Sequence, residues 1–455
     1  MQIISASDFG GYWKLRAKNS AAALVDPIVG EIIEAVRIEG DAAVRRYAGR
    51  FDKASPERLE VPVGMAAEAW DALRSVDREI AAALELSARH IFRFAQLQME
   101  QMGCFEQEME KGLYTGQLVI PVERAGVYIP GGRYPLFSSV LMGMIPALAA
   151  GVDELVLASP PMEDGFPNRN ILAASALSVS LCNEIPSARN LAGKTKFRVF
   201  SAGGAQAIAA MALGTETIPR VDIIAGPGNK YVAAAKRMLF GQVGIDLIAG
   251  PTDVLVIADN NSSADLIAAD MLAQAEHDAE AAARALVPSR GMAEKINAAL
   301  GTLMAPLPQE SRNTANASLD ANGLVITYGA KEEAVQIANT IAPEHLELHC
   351  GSPESWLSPQ KPGMPYLRNF GSLFIGPVAA EVLGDYSAGI NHTLPTAGSA
   401  RFTGGLSVRH FLKIPTTLRC APGPGYDAAR QAAETLGQAE GLAAHSLAAA
   451  IRRQS

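Results

Sequence analysis

Two side chains with metal-ligating atoms lie three residues apart in a segment with a helical pattern. Gln274 and His277 belong to residues 265–280, where leucine, isoleucine and many alanines recur at helical spacing. Ser262 and Ser263 stand just before the pattern and are suitable N-cap residues. Residues three apart face the same side of a helix, so this amide and imidazole could form half of a metal site. The alternative is a solvated polar pair on the helix surface.

Histidine is concentrated in the C-terminal part of the chain. Of the seven histidines, only His90 precedes His277. Glu344 and His345 are neighbours between a predicted helix and a short strand, and such a pair can act as general acid and base. The alternative is a solvated glutamate beside a partly buried histidine. If the chain is an enzyme, we expect its chemistry in this part of the sequence.

Two further segments carry polar side chains that no structural need explains. One loop contains Asp385 and His392, and the alanine-rich helical tail, residues 428–450, contains Glu440 and His445. Nitrogen and oxygen donors without a thiolate suit zinc or another divalent first-row metal. The candidate ligands are Gln274, His277, Asp385 and His445. Because spacing does not show that these side chains converge, the residues alone indicate an α/β enzyme, with metal dependence as one option.

The composition is that of a globular protein and excludes several classes. The chain has 455 residues, enough for two or three domains, with 49% hydrophobic and 19% charged residues. A net charge of -8 without basic clusters argues against nucleic acid as a partner. The longest apolar run, residues 140–152, is too short for a membrane span, and no signal-peptide pattern precedes it. Four cysteines without a C-x-x-C motif fit a reducing, cytoplasmic environment.

From about residue 117 the sequence repeats the order strand, glycine-rich turn and helix. The predicted strands are residues 124–129, 155–158, 197–200, 221–225, 245–249, 254–259 and 324–327. Buried strands that alternate with helices indicate parallel α/β units, and residues 1–120 before them are predicted to be mostly helical. Ligands bind such sheets at the carboxyl ends of the strands, where the glycine turns fall. The turns suit a dinucleotide phosphate, but no G-x-G-x-x-G occurs, and the alternative is that the glycines only make tight turns.

Several long motifs, in order along the chain, resemble those of the histidinol dehydrogenase family. They are A-G-V-Y-I-P-G-G from Ala125, L-F-S-S-V-L-M from Leu136, G-G-A-Q-A-I-A-A from Gly203, G-P-G-N-K-Y-V from Gly226, A-Q-A-E-H-D from Ala273, A-P-E-H-L-E from Ala342, G-D-Y with N-H-T-L-P-T from Gly384, and E-G-L-A-A-H from Glu440. The resemblance extends from about residue 30 to the C-terminus. So many motifs in one order are specific for the family.

The resemblance implies an enzyme with one zinc ion per subunit and NAD as its cofactor. The family oxidises L-histidinol through L-histidinal to L-histidine, a four-electron reaction that ends histidine biosynthesis. The implied zinc ligands are Gln274, His277, Asp385 and His445. The implied catalytic pair is His345, as the base, and Glu344, which activates water. The implied NAD-contacting residues are Tyr128, Gln206 and Asn229. The implied substrate-contacting residues are Ser138, Thr252, Gln274, His277, His345, Asp385, His392, Glu440 and His445.

The same resemblance implies an α/β fold with two Rossmann-like parallel-sheet domains, a helical N-terminal segment and a small C-terminal dimerisation arm. The expected units are residues 1–20 as the N-terminal segment, 21–126 plus 252–405 as the domain with the metal and catalytic residues, 127–251 as the NAD-binding domain, and 406–455 as the arm. The family is homodimeric. We therefore expect the arm, interrupted at Gly437 and Gly441, to bring His445 to the zinc of the partner subunit.

Three features depart from the family pattern. Thr252 stands where serine is usual, which keeps the hydroxyl group, and residues 163–196 resemble an insertion. Residues 133–135 and 402–408 resemble paralogues that oxidise other small polyols, including a sulfonated propanediol. The alternatives are therefore such a polyol dehydrogenase and a zinc hydrolase, since metal, glutamate and histidine also serve hydrolysis. A catalytically idle homologue is disfavoured because the catalytic pair and all the ligand positions are present.

Overall fold

The protein is built on two parallel β-sheets flanked by helices. The computed structural model describes residues 1–17, 25–131, 136–184, 195–359, 363 and 365–453. Its strands are β1 (Gln2–Ser5), β2 (Phe105–Glu110), β3 (Leu113–Gln117), β4 (Ile120–Pro121), β5 (Arg124–Tyr128), β6 (Glu154–Ser159), β7 (Lys196–Ser201), β8 (Ile223–Ala225), β9 (Gly244–Ile245), β10 (Asp253–Ala258), β11 (Ala282–Val287), β12 (Leu324–Thr327), β13 (His345–His349), β14 (Ser372–Ile375), β15 (Leu412–Lys413) and β16 (Thr416–Cys420).

The helices alternate with the strands over much of the described chain. They are α1 (Ala6–Ala17), α2 (Asp26–Glu39), α3 (Asp41–Phe51), α4 (Met65–Val76), α5 (Arg78–Glu100), α6 (Phe137–Ala150), α7 (Arg169–Glu184), α8 (Gly204–Leu213), α9 (Lys230–Leu239), α10 (Ala264–His277), α11 (Arg290–Met304), α12 (Gln309–Asn322), α13 (Lys331–Ile341), α14 (Glu354–Leu357), α15 (Glu381–Tyr386), α16 (Pro424–Ala439) and α17 (Ala443–Ala450). None of these described helices combines the length and apolarity that a membrane crossing needs.

The larger sheet has six strands in the order β1, β12, β11, β10, β13, β14, and each adjacent pair is parallel. Helices α10, α11 and α12 cover one face, and α1, α13 and α14 cover the other. The central strands, such as D-V-L-V-I-A in β10, are buried along their whole length. Continuous apolar strands are typical of a parallel sheet with both faces covered. The N-terminal strand β1 forms one edge of this sheet.

The smaller sheet has five parallel strands in the order β7, β6, β5, β8, β9. Helices α2, α3, α8 and α9 pack on one face, while α4, α5, α6 and α7 pack on the other. The two faces alternate along each strand, so that Val127 of β5 belongs to one core and Tyr128 to the other. The predicted α/β class with two parallel sheets is confirmed, whereas the exact domain boundaries stay a prediction.

One strand prediction in the segment that joins the two sheets is wrong. Residues 245–249 were expected to form a strand, but β9 ends at Ile245, so the turn at Gly250 precedes β10 instead of following a strand. The expectation that residues 163–196 contain an insertion stays a prediction, and in their described part helix α7 contributes Ile171 and Leu172 to the core of the smaller sheet. Residues 185–194, like the predicted polyol motif at 133–135, lie outside the described residues.

The C-terminal segment joins two small antiparallel sheets that the sequence pattern did not predict. Strand β15 pairs with β4, and β16 pairs with β3, which also pairs with β2. Helices α16 and α17 then pack against each other. Gly441, at a φ of 74°, separates them, but the predicted break at Gly437 is wrong, because Gly437 lies inside α16. A Cβ atom on Gly437 would lie 2.8 Å from the Ser446 nitrogen, so this glycine permits the close contact of the two helices.

Helix α6 packs closely on strand β5 because Gly143 has no side chain. A Cβ atom at this position would lie 2.5 Å from Cγ1 of Val127. We expect Gly143→Ala to lower the free energy of unfolding by about 1–3 kcal/mol, as overpacked cores do, which thermal unfolding measures. The matched control is Gly301→Ala in helix α11, where nothing lies within 4 Å of the added Cβ atom. Helix propensity predicts an unchanged or higher melting temperature for the control, and equal losses in both variants would contradict this account.

Candidate active site

The amino ends of two neighbouring strands hold the first part of the site. Strands β10 and β13 are parallel neighbours with Val254 opposite His345, so Asp253 and Glu344 come side by side. The Glu344 N–H donates to Asp253 Oδ1 at 3.1 Å, and the Asp253 N–H donates to Glu344 Oε2, also at 3.1 Å. Arg284 of β11 donates to Asp253 Oδ2 at 2.8 Å. These bonds hold the Glu344 carboxyl group in one orientation.

A chain of side-chain hydrogen bonds connects helix α10 with Glu344. Gln274 Nε2 donates to Thr252 Oγ1 at 2.9 Å, and Thr252 Oγ1 donates a short hydrogen bond to Glu344 Oε2. The amide nitrogen of Gln274 is used in this way, so its oxygen stays an acceptor for another ligand. Burial raises the pKa of Glu344 to about 7, although His345 and the Thr252 hydroxyl oppose the shift. A carboxyl group that titrates near neutral pH suits proton transfer.

His345 is buried between two carboxyl groups of helix α15. Its Nδ1 lies 3.6 Å from Glu381 Oε2, and its Nε2 lies 3.6 Å from Asp385 Oδ1. Glu381 and Asp385 are four residues apart, so both face the imidazole from one side of the helix. Burial lowers the pKa of His345, but Glu344, Asp385 and Glu381 outweigh burial and raise this pKa to about 10. Burial also raises the pKa of Glu381 well above its usual value.

Two further histidines adjoin this cluster. His392 Nδ1 donates to the Asp385 carbonyl oxygen at 3.0 Å, so its Nε2 accepts from the Ser139 hydroxyl at 3.0 Å. Burial lowers the pKa of His392, which favours this neutral form. His277, at the exposed end of α10, is close enough for its charge to influence the pKa of both Asp385 and His392. Burial raises the pKa of Asp385, but the three histidines outweigh burial and lower it.

The structure therefore brings most of the predicted site residues together. They are Thr252, Gln274, His277, Glu344, His345, Asp385 and His392. Ser138 is buried in the first turn of α6, next to Ser139, whose contact with His392 the sequence analysis missed. Glu440 and His445 are exposed on the two C-terminal helices, and no described contact within this chain joins them to the cluster.

The sequence analysis also missed a buried group behind the cluster, formed by Asp270, Glu347 and His349. His349 Nε2 lies 3.2 Å from Glu347 Oε2 and 3.5 Å from Asp270 Oδ2. Glu347 Oε1 accepts the N–H of Glu381 at 2.9 Å, which connects this group to α15. One ligand atom from each of the three residues lies within 4.8 Å of the others, so they could share a proton or hold a divalent cation.

The signal for this group is a regular spacing of polar residues on buried elements. Alternate residues of a strand share one face, and residues three or four apart share one face of a helix. The rows are His345, Glu347 and His349 on β13, Asp270, Gln274 and His277 on α10, and Glu381 and Asp385 on α15. A buried strand with the sequence H-L-E-L-H therefore predicts a row of polar side chains inside the protein. The rows of α15 and α10 contact this row, through His345 and His349 respectively.

A second site lies at the carboxyl ends of β5, β7 and β8, where the sequence predicted ligand binding. Tyr128, Gln206 and Asn229 line a cavity of about 750 Å³ there. Tyr128 Oη accepts the Gly204 N–H at 3.0 Å, and burial raises the pKa of Tyr128, so its hydroxyl stays a donor. Asn229 Oδ1 caps helix α9 by accepting two backbone N–H groups at 3.0 and 3.2 Å. The cavity size is within the range of small-molecule and cofactor sites.

The turn after β8 is held by a buried ion pair. Gly226 has a φ of 116°, and a Cβ atom there would lie 2.1 Å from the carbonyl oxygen of Tyr128, so only glycine fits. Asp246 Oδ2 accepts the Gly226 N–H at 2.8 Å, and Lys236 Nζ donates to the Gly226 carbonyl at 3.0 Å. Lys236 and Asp246 also form a salt bridge with both side chains buried. These contacts fix the backbone of the turn that leads to Asn229, which lines the cavity.

Asp270 makes the stability of the protein depend on pH. Burial and the neighbouring Glu347 raise the pKa of Asp270 to about 8. In the unfolded chain the pKa is about 4, so this stabilising contribution is complete below about pH 4 and is lost as the pH rises through 8. We expect Asp270→Asn to gain stability relative to the wild type between pH 5 and 8, by about 1 kcal/mol per pH unit at most, in denaturant unfolding.

The matched control for that prediction is Asp265→Asn, which removes an exposed carboxylate from the first turn of the same helix. Its stability relative to the wild type should not change over this pH range. If the Asp270→Asn difference were also independent of pH, Asp270 would be ionised throughout, as it would be with a cation bound to Asp270, Glu347 and His349.

Comparisons with known proteins agree on one family. The family model described as "Histidinol dehydrogenase" matches residues 15–453. The histidinol dehydrogenase of Aquifex aeolicus is 41% identical over 427 residues, which cover 93% of this chain and 92% of that protein. That of Thermus thermophilus is 42% identical over 430 residues, which cover 94% and 95%. These relatives do not favour the polyol dehydrogenase or the hydrolase.

A solved structure shows the same fold. The histidinol dehydrogenase of Elizabethkingia anophelis matches with a TM-score of 0.82 at 33% identity, and the match covers 95% of this chain and 93% of that one. A match of this extent includes both parallel sheets and the elements that carry the buried polar rows. This chain belongs to the histidinol dehydrogenase family and is an oxidoreductase.

Proposed function

We propose that the protein oxidises L-histidinol through L-histidinal to L-histidine, with zinc and NAD, as the final steps of histidine biosynthesis. The observation that carries the proposal is the buried Glu344–His345 pair: Glu344 is hydrogen-bonded to Thr252 and Asp253, and His345 lies 3.6 Å from the carboxyl groups of Glu381 and Asp385. Family membership supports the substrate, because the relatives at 41% and 42% identity are named histidinol dehydrogenases. An acid–base pair beside a cofactor cavity is the equipment that a dehydrogenase needs.

NAD is proposed to occupy the 750 Å³ cavity. The supporting observations are the three polar side chains on its wall, Tyr128, Gln206 and Asn229, and its position at the carboxyl ends of parallel strands. Strand β5 ends at this cavity, and the next helix, α6, carries Ser139, which contacts His392. The nicotinamide end of the cofactor is therefore proposed to point from Tyr128 towards Ser139 and the substrate.

Zinc is proposed to bind Gln274, His277 and Asp385, with His445 of the partner subunit as the fourth ligand. The donor set supports this assignment, because the Gln274 oxygen is not engaged by Thr252 and His277 lies close to Asp385. The surplus of carboxyl groups around His345 also favours a cation. When bound, the metal would hold the amine and imidazole nitrogens of histidinol in place through both oxidations.

The remaining site residues have distinct proposed roles. His345 takes the hydroxyl proton as hydride leaves the alcohol carbon for NAD, which forms the aldehyde. A cation bound at Asp385 would offset the carboxyl groups that raise the pKa of His345, so that the imidazole could be neutral and accept this proton. Glu344 then activates the water that adds to the aldehyde, and Thr252 and Gln274 keep its carboxyl group oriented. The hydrate then gives a second hydride to a second NAD and loses its two hydroxyl protons to His345 and solvent, which leaves the carboxylate. Ser138, His392 and Glu440 are proposed to contact the substrate.

The protein is proposed to be a homodimer in which the C-terminal arms are exchanged. Exposed apolar residues on α16 and α17 and at their flanks support a covering partner. They are Leu436, Leu442, Leu447 and Ile451, which are 60%, 45%, 60% and 69% exposed. Glu440 and His445 lie in the same segment of the chain. If a second subunit covers this segment, Glu440 and His445 of the first subunit would lie near the active site of the second. We also propose a cytoplasmic location, which fits the unpaired state of Cys104, Cys350 and Cys420.

The proposed reaction is tested by counting NADH formed from a known amount of L-histidinol with excess NAD. We expect about two NADH per L-histidinol, because each oxidation delivers one hydride to the cofactor. A chelator should abolish the reaction, and added Zn²⁺ should restore it. One NADH or none per L-histidinol, with metal-loaded protein, would contradict the four-electron assignment.

His345→Asn tests the proposed base separately from the metal site. We expect the rate of NADH formation to fall by about 10²–10⁴-fold, the usual contribution of a general base. The zinc content should stay near one ion per subunit, because His345 is not a proposed ligand. A rate close to that of the wild type would exclude His345 as the base.

Arm exchange is tested by mixing two inactive variants, His345→Asn and His445→Ala, after unfolding and refolding them together. With exchange, a mixed dimer has one site in which both residues are intact, so about one quarter of the wild-type activity should return. Without exchange, every site keeps one defect. Activity that stays at the level of the separate variants would contradict the proposal.

A further inference from the structure

Asp52 places a carboxyl group inside the cofactor cavity. It follows helix α3 directly and lines the cavity together with Gln206, whose Nε2 donates to Asp52 Oδ2 at 3.4 Å. A Cβ atom on Gly203 would lie 2.6 Å from Asp52 Oδ1, so the carboxyl group touches the backbone at the start of helix α8. The first N–H of this helix, on Gly204, already donates to Tyr128.

The surroundings of Asp52 do not neutralise it. Burial raises the pKa of Asp52 to about 6, and the Gln206 amide only partly opposes this shift. Glu31, Arg50 and Lys53 also line the cavity, but the Arg50 guanidinium group stacks on the Phe51 ring at 5.0 Å, and none of the three is among the groups that influence the pKa of Asp52. Within the described part of the chain, no cation is among the groups that influence the pKa of Asp52. An uncompensated, partly buried carboxylate lowers stability and is a frequent mark of a ligand site.

We propose that Asp52 accepts hydrogen bonds from ribose hydroxyl groups of the dinucleotide and thereby selects NAD over its 2′-phosphorylated form. This inference rests on the proposal that the cavity holds NAD. Hydroxyl groups are donors and can replace the water that Asp52 loses on binding. A phosphate group on the ribose would instead bring two or more negative charges against the carboxylate, which discriminates strongly in a partly buried site.

The sequence explains how a distant residue reaches this cavity. Helices α2 and α3 pack on α8 through Val29, Val44 and Ile208, so the end of α3 projects over the amino end of α8. Asp52 thus approaches from the first 60 residues, in which the sequence analysis named no binding residue. Its position opposite Gln206, a predicted NAD contact, makes it part of the same ligand surface.

Asp52→Asn removes the charge and keeps the shape of the side chain. We expect the KM and Kd for NAD to rise by about 10-fold or more, the value of a hydrogen bond to a charged group, while kcat changes little. The ratio of kcat/KM for NADP to that for NAD should rise at least as much. NAD affinity of the wild type should fall as the pH drops through about 6, whereas that of Asp52→Asn should not.

Thermal unfolding of the free protein separates ligand binding from a structural role. We expect the melting temperature of Asp52→Asn to equal or exceed that of the wild type, because a desolvated charge is removed. A lower melting temperature would indicate a structural carboxylate and overturn the inference. The matched control is Glu57→Gln, which changes an exposed carboxylate in the same loop but outside the cavity lining. This variant should leave the affinity for NAD, the NADP-to-NAD ratio of kcat/KM and the melting temperature unchanged.

Two other results would separate a failure of the role proposed for Asp52 from a failure of the proposed binding of NAD. If the wild type turns over NAD and Asp52→Asn keeps both its KM and its NADP-to-NAD ratio, the role of Asp52 is overturned and the NAD assignment stands. If the metal-loaded wild type neither binds nor reduces NAD, the proposed function itself fails, and the inference fails with it.

Discussion

The pairing of strand β13 with strand β10 is the contact on which the site depends. It brings Asp253 beside Glu344, and reciprocal backbone-to-carboxylate hydrogen bonds then lock the two amino ends together. The salt bridge between Arg284 and Asp253 extends this lock to a third strand. Because each strand is buried on both faces by helices, the pairing cannot shift by one residue without exposing apolar side chains. The packing of apolar side chains on both faces of the sheet therefore fixes the positions of Asp253 and Glu344.

The two sheets contribute opposite edges to the function. The smaller sheet presents the carboxyl ends of its strands to the cofactor cavity, which is the usual arrangement for parallel sheets. The larger sheet presents amino ends, where Thr252 and Glu344 precede their strands. The loop with His392 connects the two, since His392 bonds to Ser139 of α6, and Thr396 of the same loop accepts the Gly250 N–H at 2.5 Å. This loop therefore contacts an element of each edge.

Buried charge is the energetic cost of this arrangement. Glu344, Glu381, Asp270 and Asp52 all have raised pKa values because of burial, and each would lower stability when ionised without a partner. Such groups persist where a ligand, a metal or a proton completes them. Apolar residues buried between helices and sheets on all four sheet faces contribute the hydrophobic stabilisation that opposes this cost.

Local patterns predicted much of this site, and long-range packing accounts for what they missed. Helical spacing put Gln274 and His277 on one face of α10, and the glycine turns marked the cavity edge of β5, β7 and β8. Asp52 was missed because its place depends on how α3 packs on α8, which no local pattern encodes. The strand predicted at 245–249 failed because an apolar run by itself does not distinguish a strand from a loop.

Glu440 and His445 show the other limit of sequence reasoning. They are exposed in this chain, and their proposed role requires a second subunit. The row formed by His345, Glu347 and His349, in contrast, could have been recognised from alternation alone, because charged residues on a buried strand need partners.

The most direct test of the account is the number of NADH molecules that Glu344→Gln forms from L-histidinol in the presence of excess NAD. If Glu344 activates the water that hydrates the aldehyde, the variant should stop after the first oxidation and form about one NADH per L-histidinol, half the number expected for the wild type. Histidinal should then be recoverable with a carbonyl trap. Two NADH per L-histidinol at the wild-type rate would contradict the role of Glu344 and the meaning assigned to its hydrogen bonds with Thr252 and Asp253.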